Sequence, residues 1–155
     1  MKGFLGWFRP QGEAYTVIWF QVSRDGWDKY AGSKFVLEFQ RSSEPVIGAG
    51  DKDARRERIA SFLSPEEREE IRSIQNAIIA SLQYPPKSHP ILHVAQEVTE
   101  IYLKEFKAVS ESYPEQSDIW FRYASPEHIA RWAHFILGKL PKCIAVAEAW
   151  PHLSK

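Results

Sequence analysis

The chain has 155 residues, 20 Lys plus Arg against 20 Asp plus Glu, 44% apolar residues, and six Trp, six Tyr and nine Phe. That size and balance predict one domain with a real core and exclude a disordered chain, which is poor in apolar residues and high in net charge. Zero net charge disfavours a dedicated nucleic-acid binder, which carries a basic excess, and the lone Cys143 excludes an internal disulfide and any zinc site with two or more thiolates.

Residues 3–9 form a short apolar run that Arg9 and Pro10 close before a signal-peptide core is reached. Pro10-Gln11-Gly12 is a turn signal. Ala14 to Ser23 is dense in β-branched and aromatic residues and reads as a strand. Tyr15, Val17 and Trp19 lie on one face and Ile18, Phe20 and Val22 on the other. A strand apolar on both faces is expected to be central, covered on both sides or buried against a second copy.

Arg24 to Ser33 is a polar loop with two glycines. It holds Arg24, Trp27 and Tyr30 outside any periodic pattern, and these residue types dominate binding hot spots. Arg24 offers a bidentate donor for a carboxylate or phosphate, and Trp27 and Tyr30 offer flat apolar surface. These three, with Arg122 from a later strand, are the candidate binding residues. The plainer expectation for Trp27 is a loop aromatic folded back onto the sheet.

Lys34 to Ser42 alternates, with Phe35, Leu37 and Phe39 on one face, Lys34, Glu38 and Gln40 on the other, and Val36 as the exception. It is expected to pair with the preceding strand as an antiparallel hairpin. Gly48-Ala49-Gly50-Asp51 lacks the Gly-Lys-Ser/Thr ending of a phosphate loop and reads as a flexible loop.

The period then changes to that of helices. Asp53 to Phe62 reads as a short helix. Ser64-Pro65-Glu66-Glu67 is a strong helix start, with a capping box between Ser64 and Glu67. Asp51 to Arg72 carries seven acidic and six basic groups, read as a solvated face, because catalytic carboxylate pairs need burial to separate their pKa values. Ile71, Ile74, Ile78 and Leu82 mark the buried face of this helix, and Tyr84-Pro85-Pro86 ends it. The longest charge-free stretch, Ser73 to Pro86, has 14 residues, too few to span a bilayer. No membrane association and a cytoplasmic location are expected.

Pro90 is expected to open another helix, with Ile91, Val94, Val98 and Ile101 in line. His89, His93 and Glu97 are four apart, a spacing that suits metal ligands on one helix. Pro90 places His89 at the helix edge, so the expectation is a polar face without metal or cofactor. Asp118 to Ala124 reads as a fourth strand and carries Arg122. Ser125-Pro126-Glu127-His128 repeats the start signal, and Ile129, Trp132, Ala133 and Ile136 line the helix it opens. Gly138 and Pro141 are expected to break it, leaving Lys142 to Trp150 as a last short helix. Cys143 has no neighbouring histidine in the sequence and reads as a small buried hydrophobe.

Three strands, three helical segments, one strand and two helices predict an α+β domain over residues 1–155. Its antiparallel sheet would hold about four strands, three early and one late, packed with about four to five helices.

Phe20-Gln21-Val22-Ser23-Arg24-Asp25-Gly26-Trp27, Phe35-Val36-Leu37-Glu38-Phe39, Trp120-Phe121-Arg122-Tyr123 and Arg131-Trp132-Ala133 together resemble a bacterial family of small α+β domains of unknown function. The resemblance implies a bacterial α+β domain with no assigned reaction, and it supplies no catalytic residues. The expected function is a cytoplasmic binding or interaction module without catalysis, for a protein or small-molecule partner, with a homodimer as one way to cover the second strand. Two alternatives stand beside it. One is a small metal-dependent hydrolase using His93 and Glu97. The other is a weak single-strand nucleic-acid binder stacking bases on sheet aromatics.

Overall fold

A computed structural model describes residues 5–24, 26–30, 32–47, 54–83, 88 and 119–151. It contains strands β1 (Leu5–Gln11), β2 (Ala14–Val22), β3 (Ser33–Ser42), β4 (Arg55–Arg58) and β5 (Phe121–Tyr123), a 3-10 turn at Ile59–Phe62, and helices α1 (Pro65–Ser81) and α2 (Pro126–Glu148). All strand pairs are antiparallel, in the order β1-β2-β3-β4, and β5 pairs with β3 as well. The α+β class is thus observed.

Gly12 fixes the first hairpin. Its φ of 61° is the left-handed conformation required at the first central position of a type II′ turn, and it registers Gln11 against Ala14 and Trp7 against Ile18. β2 pairs with β3 from Tyr15↔Ser42 to Val22↔Phe35, the expected hairpin. β3 is central. β2 lines one edge, while β4 and β5 share the other, β4 at Glu38–Arg41 and β5 at Ser33–Phe35.

One sheet face carries the main core. Phe35, Leu37, Phe39 and Phe121 pack there against Ile71 and Ile78 of α1 and Trp132, Phe135, Ile136, Cys143 and Ala147 of α2. The second face is buried too: Val17, Trp19, Val36, Glu38, Gln40 and Ser42 are all closed to solvent. The alternation of β3 therefore separates apolar from polar, yet both sides are interior. The polar side has partners, as buried polar groups require: Gln40 donates to the Val46 carbonyl at 3.1 Å, and Glu38 takes the Arg56 guanidinium at 2.8 Å.

Two helical expectations need correction. Residues 55–58 are a strand and 59–62 a 3-10 turn, not a helix. The two expected C-terminal helices are one, of 23 residues, running through Pro141. Proline frees the carbonyl four residues back, which is that of Leu137. Leu137 is 65% exposed, so water can solvate that group while Trp132, Ile136, Cys143 and Ala147 hold the buried side straight across the interruption. Of the expected four to five helices, two are present among the described residues. The helix expected from Pro90 lies outside those residues. Among the described residues, no helix is long and apolar enough to cross a membrane.

The start of α1 matches its sequence signal. Ser64 Oγ accepts from Glu67 N–H at 3.3 Å, and Glu67 Oε2 accepts from Ser64 N–H at 2.9 Å. Glu67 also accepts from Lys142 of α2 and lies 3.6 Å from Lys139. Partial burial pushes its carboxyl up, but the Lys142 and Ser64 hydrogen bonds and both ammonium charges outweigh that and hold it below the usual value.

Candidate functional site

Three chain segments end at one corner of the fold. The β2–β3 loop is folded by a pair of backbone bonds, Asp28 N–H to Gly32 C=O at 3.0 Å and Gly32 N–H to Asp28 C=O at 2.7 Å. Asp28 Oδ1 accepts from Tyr30 N–H at 2.8 Å, an Asx turn that presents Lys29 and Tyr30. The end of α1 brings Ser81, Leu82 and Gln83, and the start of α2 brings Ala124, Ser125 and His128. Between them lies a cavity of about 270 Å³ lined by these eight residues. Among these eight described residues Lys29 is the one fixed charge, and none carries a carboxylate. Its ammonium lies 5.6 Å from the Tyr30 ring centre.

The histidine has a defined tautomer. Ala124 N–H donates to His128 Nδ1 at 3.1 Å, so the neutral ring carries its proton on Nε2. Nε2 lies 3.2 Å from Ser81 Oγ, which itself donates to the Ile78 carbonyl at 2.6 Å. The imidazole therefore donates to the hydroxyl. A nucleophilic serine needs the reverse polarity, with the ring nitrogen accepting the hydroxyl proton. This pair fastens α2 to α1 across the cavity.

Burial, and then the nearby Arg131 charge, hold His128 below the usual imidazole value, against a smaller opposing pull from Glu127. The neutral form is thus favoured in the fold. Its stabilising effect is complete above the unfolded pKa of about 6.5. It is lost as pH falls below that value, where the unfolded chain takes up a proton the folded ring resists. Between about pH 7 and about pH 5 the melting temperature of the wild type is expected to fall further than that of His128→Asn, which keeps an acceptor for Ala124 N–H and cannot titrate. Equal falls would count against this role.

A second polar cluster lies on the buried sheet face. Glu38 is 3% exposed and is held by Arg56 at 2.8 Å and Arg58 at 3.4 Å. Arg56 also sits over Trp19 at 5.4 Å and Arg58 over Trp120 at 5.3 Å, within cation–π range. Lys34 lies 5.9 Å from the same Trp120 ring. Each guanidinium thus satisfies the carboxylate and covers an indole, which fastens β4 to β3 and β2.

Of the four residues proposed from sequence, Tyr30 lines the cavity. Trp27 is in the same loop and 59% exposed. Arg24 is exposed at the start of that loop. Arg122 is on β5, opposite Lys34, and lies outside the cavity lining. Its backbone has structural duties: the N–H donates to Gln75 Oε1 at 3.2 Å and the C=O accepts from Trp132 Nε1 at 2.7 Å. Lys29, Ser81 and Gln83 carry no motif in the sequence. The Ser-Pro start signal at residue 125 placed His128 on a helix start, but nothing local pointed to Ser81. Cys143 is buried, and burial pushes its thiol up to about 11, the inert state expected of it. Among the described residues no three His, Cys, Asp or Glu side chains group as a metal would need, and His93 and Glu97 lie outside those residues.

Comparison with protein-family models, curated proteins and solved structures gives no match to this chain.

Proposed function

We propose that this chain is a binding or interaction module without catalysis, as its sequence suggests, acting in the bacterial cytoplasm. Its contact surface is the loop Arg24–Tyr30 together with the cavity beside it. One observation carries the reading: the cavity opens against the same loop that holds Trp27 59% exposed. Among the described residues the lining supplies Lys29, the Tyr30, Ser81 and Ser125 hydroxyls, and the Gln83 amide, and no carboxylate. That chemistry suits a small carboxylate or phosphate, with Trp27 and Arg24 gripping the rest of the ligand at the rim. The Ser81–His128 polarity favours holding a group over attacking it. The stacking alternative draws less support, because the chain has no basic excess to neutralise phosphates.

A thermal-shift panel of small dicarboxylates and phosphate esters tests the proposal. At about 100 Kd a ligand adds roughly 2.7 kcal/mol, or about 5–10 °C in a domain of this size. That shift is expected for the wild type and is expected to vanish in Arg24→Ala/Trp27→Ala/Lys29→Ala. An identical ligand response in the triple variant would sink the site.

A further inference from the structure

The outer edge of β1 carries an inference independent of the cavity. Ser23 N–H donates to Lys34 C=O at 2.8 Å, so the odd-numbered residues of β2 bond toward β3 and the even-numbered ones toward β1. In the β1–β2 register those even residues oppose Leu5, Trp7, Arg9 and Gln11. Gly6, Phe8 and Pro10 therefore turn their backbone groups outward, away from β2. The type II′ turn agrees, since the pair flanking a two-residue loop, Gln11 and Ala14, is hydrogen-bonded. It also explains Pro10, whose missing N–H would have pointed outward and so takes no bond from the β2 ladder.

This edge is unpaired among the described residues, since β1 ends the strand order. Leu5 is 62%, Trp7 53% and Phe8 43% exposed, three large apolar side chains on one edge strand. Edges are ordinarily blunted by charge, proline or a bulge. Here Pro10 removes one outward donor and leaves those of Gly6 and Phe8, and the single charge, Arg9, is drawn by Glu148 of α2 at 3.1 Å.

We propose that β1 pairs antiparallel with β1 of a second copy about a two-fold axis at Phe8, joining two five-stranded sheets into one. The strand is self-complementary in that register. Phe8 N–H and C=O exchange bonds with Phe8 of the second copy, and Gly6 N–H reaches the Pro10 carbonyl of the second copy. Both outward N–H groups of each copy are then satisfied, and the proline leaves no donor unmatched. Side chains fit as well. Phe8 meets Phe8 on one face, while on the other Arg9 falls opposite Trp7 of the second copy, a cation–π pairing with no like charges opposed. A second copy is the occupant with this match by symmetry, an isologous contact that closes at two.

Sedimentation of the full chain tests this. The wild type is expected to pass from 17.9 kDa to twice that mass as concentration rises. Phe8→Pro removes an outward donor without touching the β2 ladder, and Phe8→Lys keeps the donor but sets two ammonium groups across the axis. Both are expected to raise the dimer Kd by about tenfold or more, with circular dichroism and melting of the monomer unchanged. Phe8→Cys is expected to give an oxidised dimer on a non-reducing gel, since paired Cα atoms about 5.5 Å apart lie within disulfide reach; the wild type, with only the buried Cys143, is expected to give none. A chain monomeric at millimolar concentration overturns the proposal, and so does a dimer that survives both Phe8→Pro and Phe8→Lys.

Discussion

Gly32→Ala is expected to cost about 4 kcal/mol, from left-handed strain and forced overpacking together. Gly32 has a φ of 69°, and a Cβ there would stand 2.0 Å from the Tyr123 carbonyl oxygen and 2.7 Å from its carbon. Those atoms are backbone, so no rotamer change relieves the clash. The chain would have to move β5 off β3, and with it Ala124 and Ser125 of the cavity wall. Gly26→Ala is the matched control. Its φ is 81°, but nothing lies within 4 Å of the added atom, so only the strain of about 1 kcal/mol applies. Urea unfolding reads both as shifts in midpoint at constant slope. A Gly32→Ala loss no larger than that of Gly26→Ala would show that β5 is not fixed against this turn.

Trp132→Ala is expected to cost about 3–5 kcal/mol, the range for emptying a large aromatic site. Trp132 is fully buried, packs against Phe121 at 4.9 Å and Phe135 at 6.3 Å between ring centres, and donates to the Arg122 carbonyl at 2.7 Å. It joins α2 to β5 by packing and by a polar bond at once. Trp132→Phe separates the two. It keeps most of the ring but strands the Arg122 carbonyl, for about 1–3 kcal/mol. Chemical denaturation is expected to rank wild type, Phe, then Ala. A Phe variant as stable as wild type would remove the hydrogen bond from the account.

Legibility from sequence followed how local each cause was. β2 and β3 were readable because β-branched and aromatic residues alternate along them, and the start of α1 because its capping box spans four consecutive residues. β4 was not readable. Arg55-Arg56-Glu57-Arg58 has no apolar side to declare itself, and it is a strand because Glu38, buried on β3, takes Arg56 and Arg58 as partners. Pro141 misled for a related reason: its penalty is local, while the packing that overrides it comes from the sheet. At the site, Arg24, Trp27 and Tyr30 stood out because they fit no period. Ser81 and His128 meet across 47 residues of chain, and no spacing rule connects them.

The double engagement of Glu67 has a dynamic consequence. The same carboxylate that begins α1 also grips Lys139 and Lys142, the latter 75 residues further along the chain. Fraying of the first turn of α1 therefore releases part of α2, and loosening of α2 uncaps α1. Lys142→Ala is therefore expected to quicken hydrogen exchange at the first-turn amides of α1, by the small amount that a part-exposed ion pair contributes.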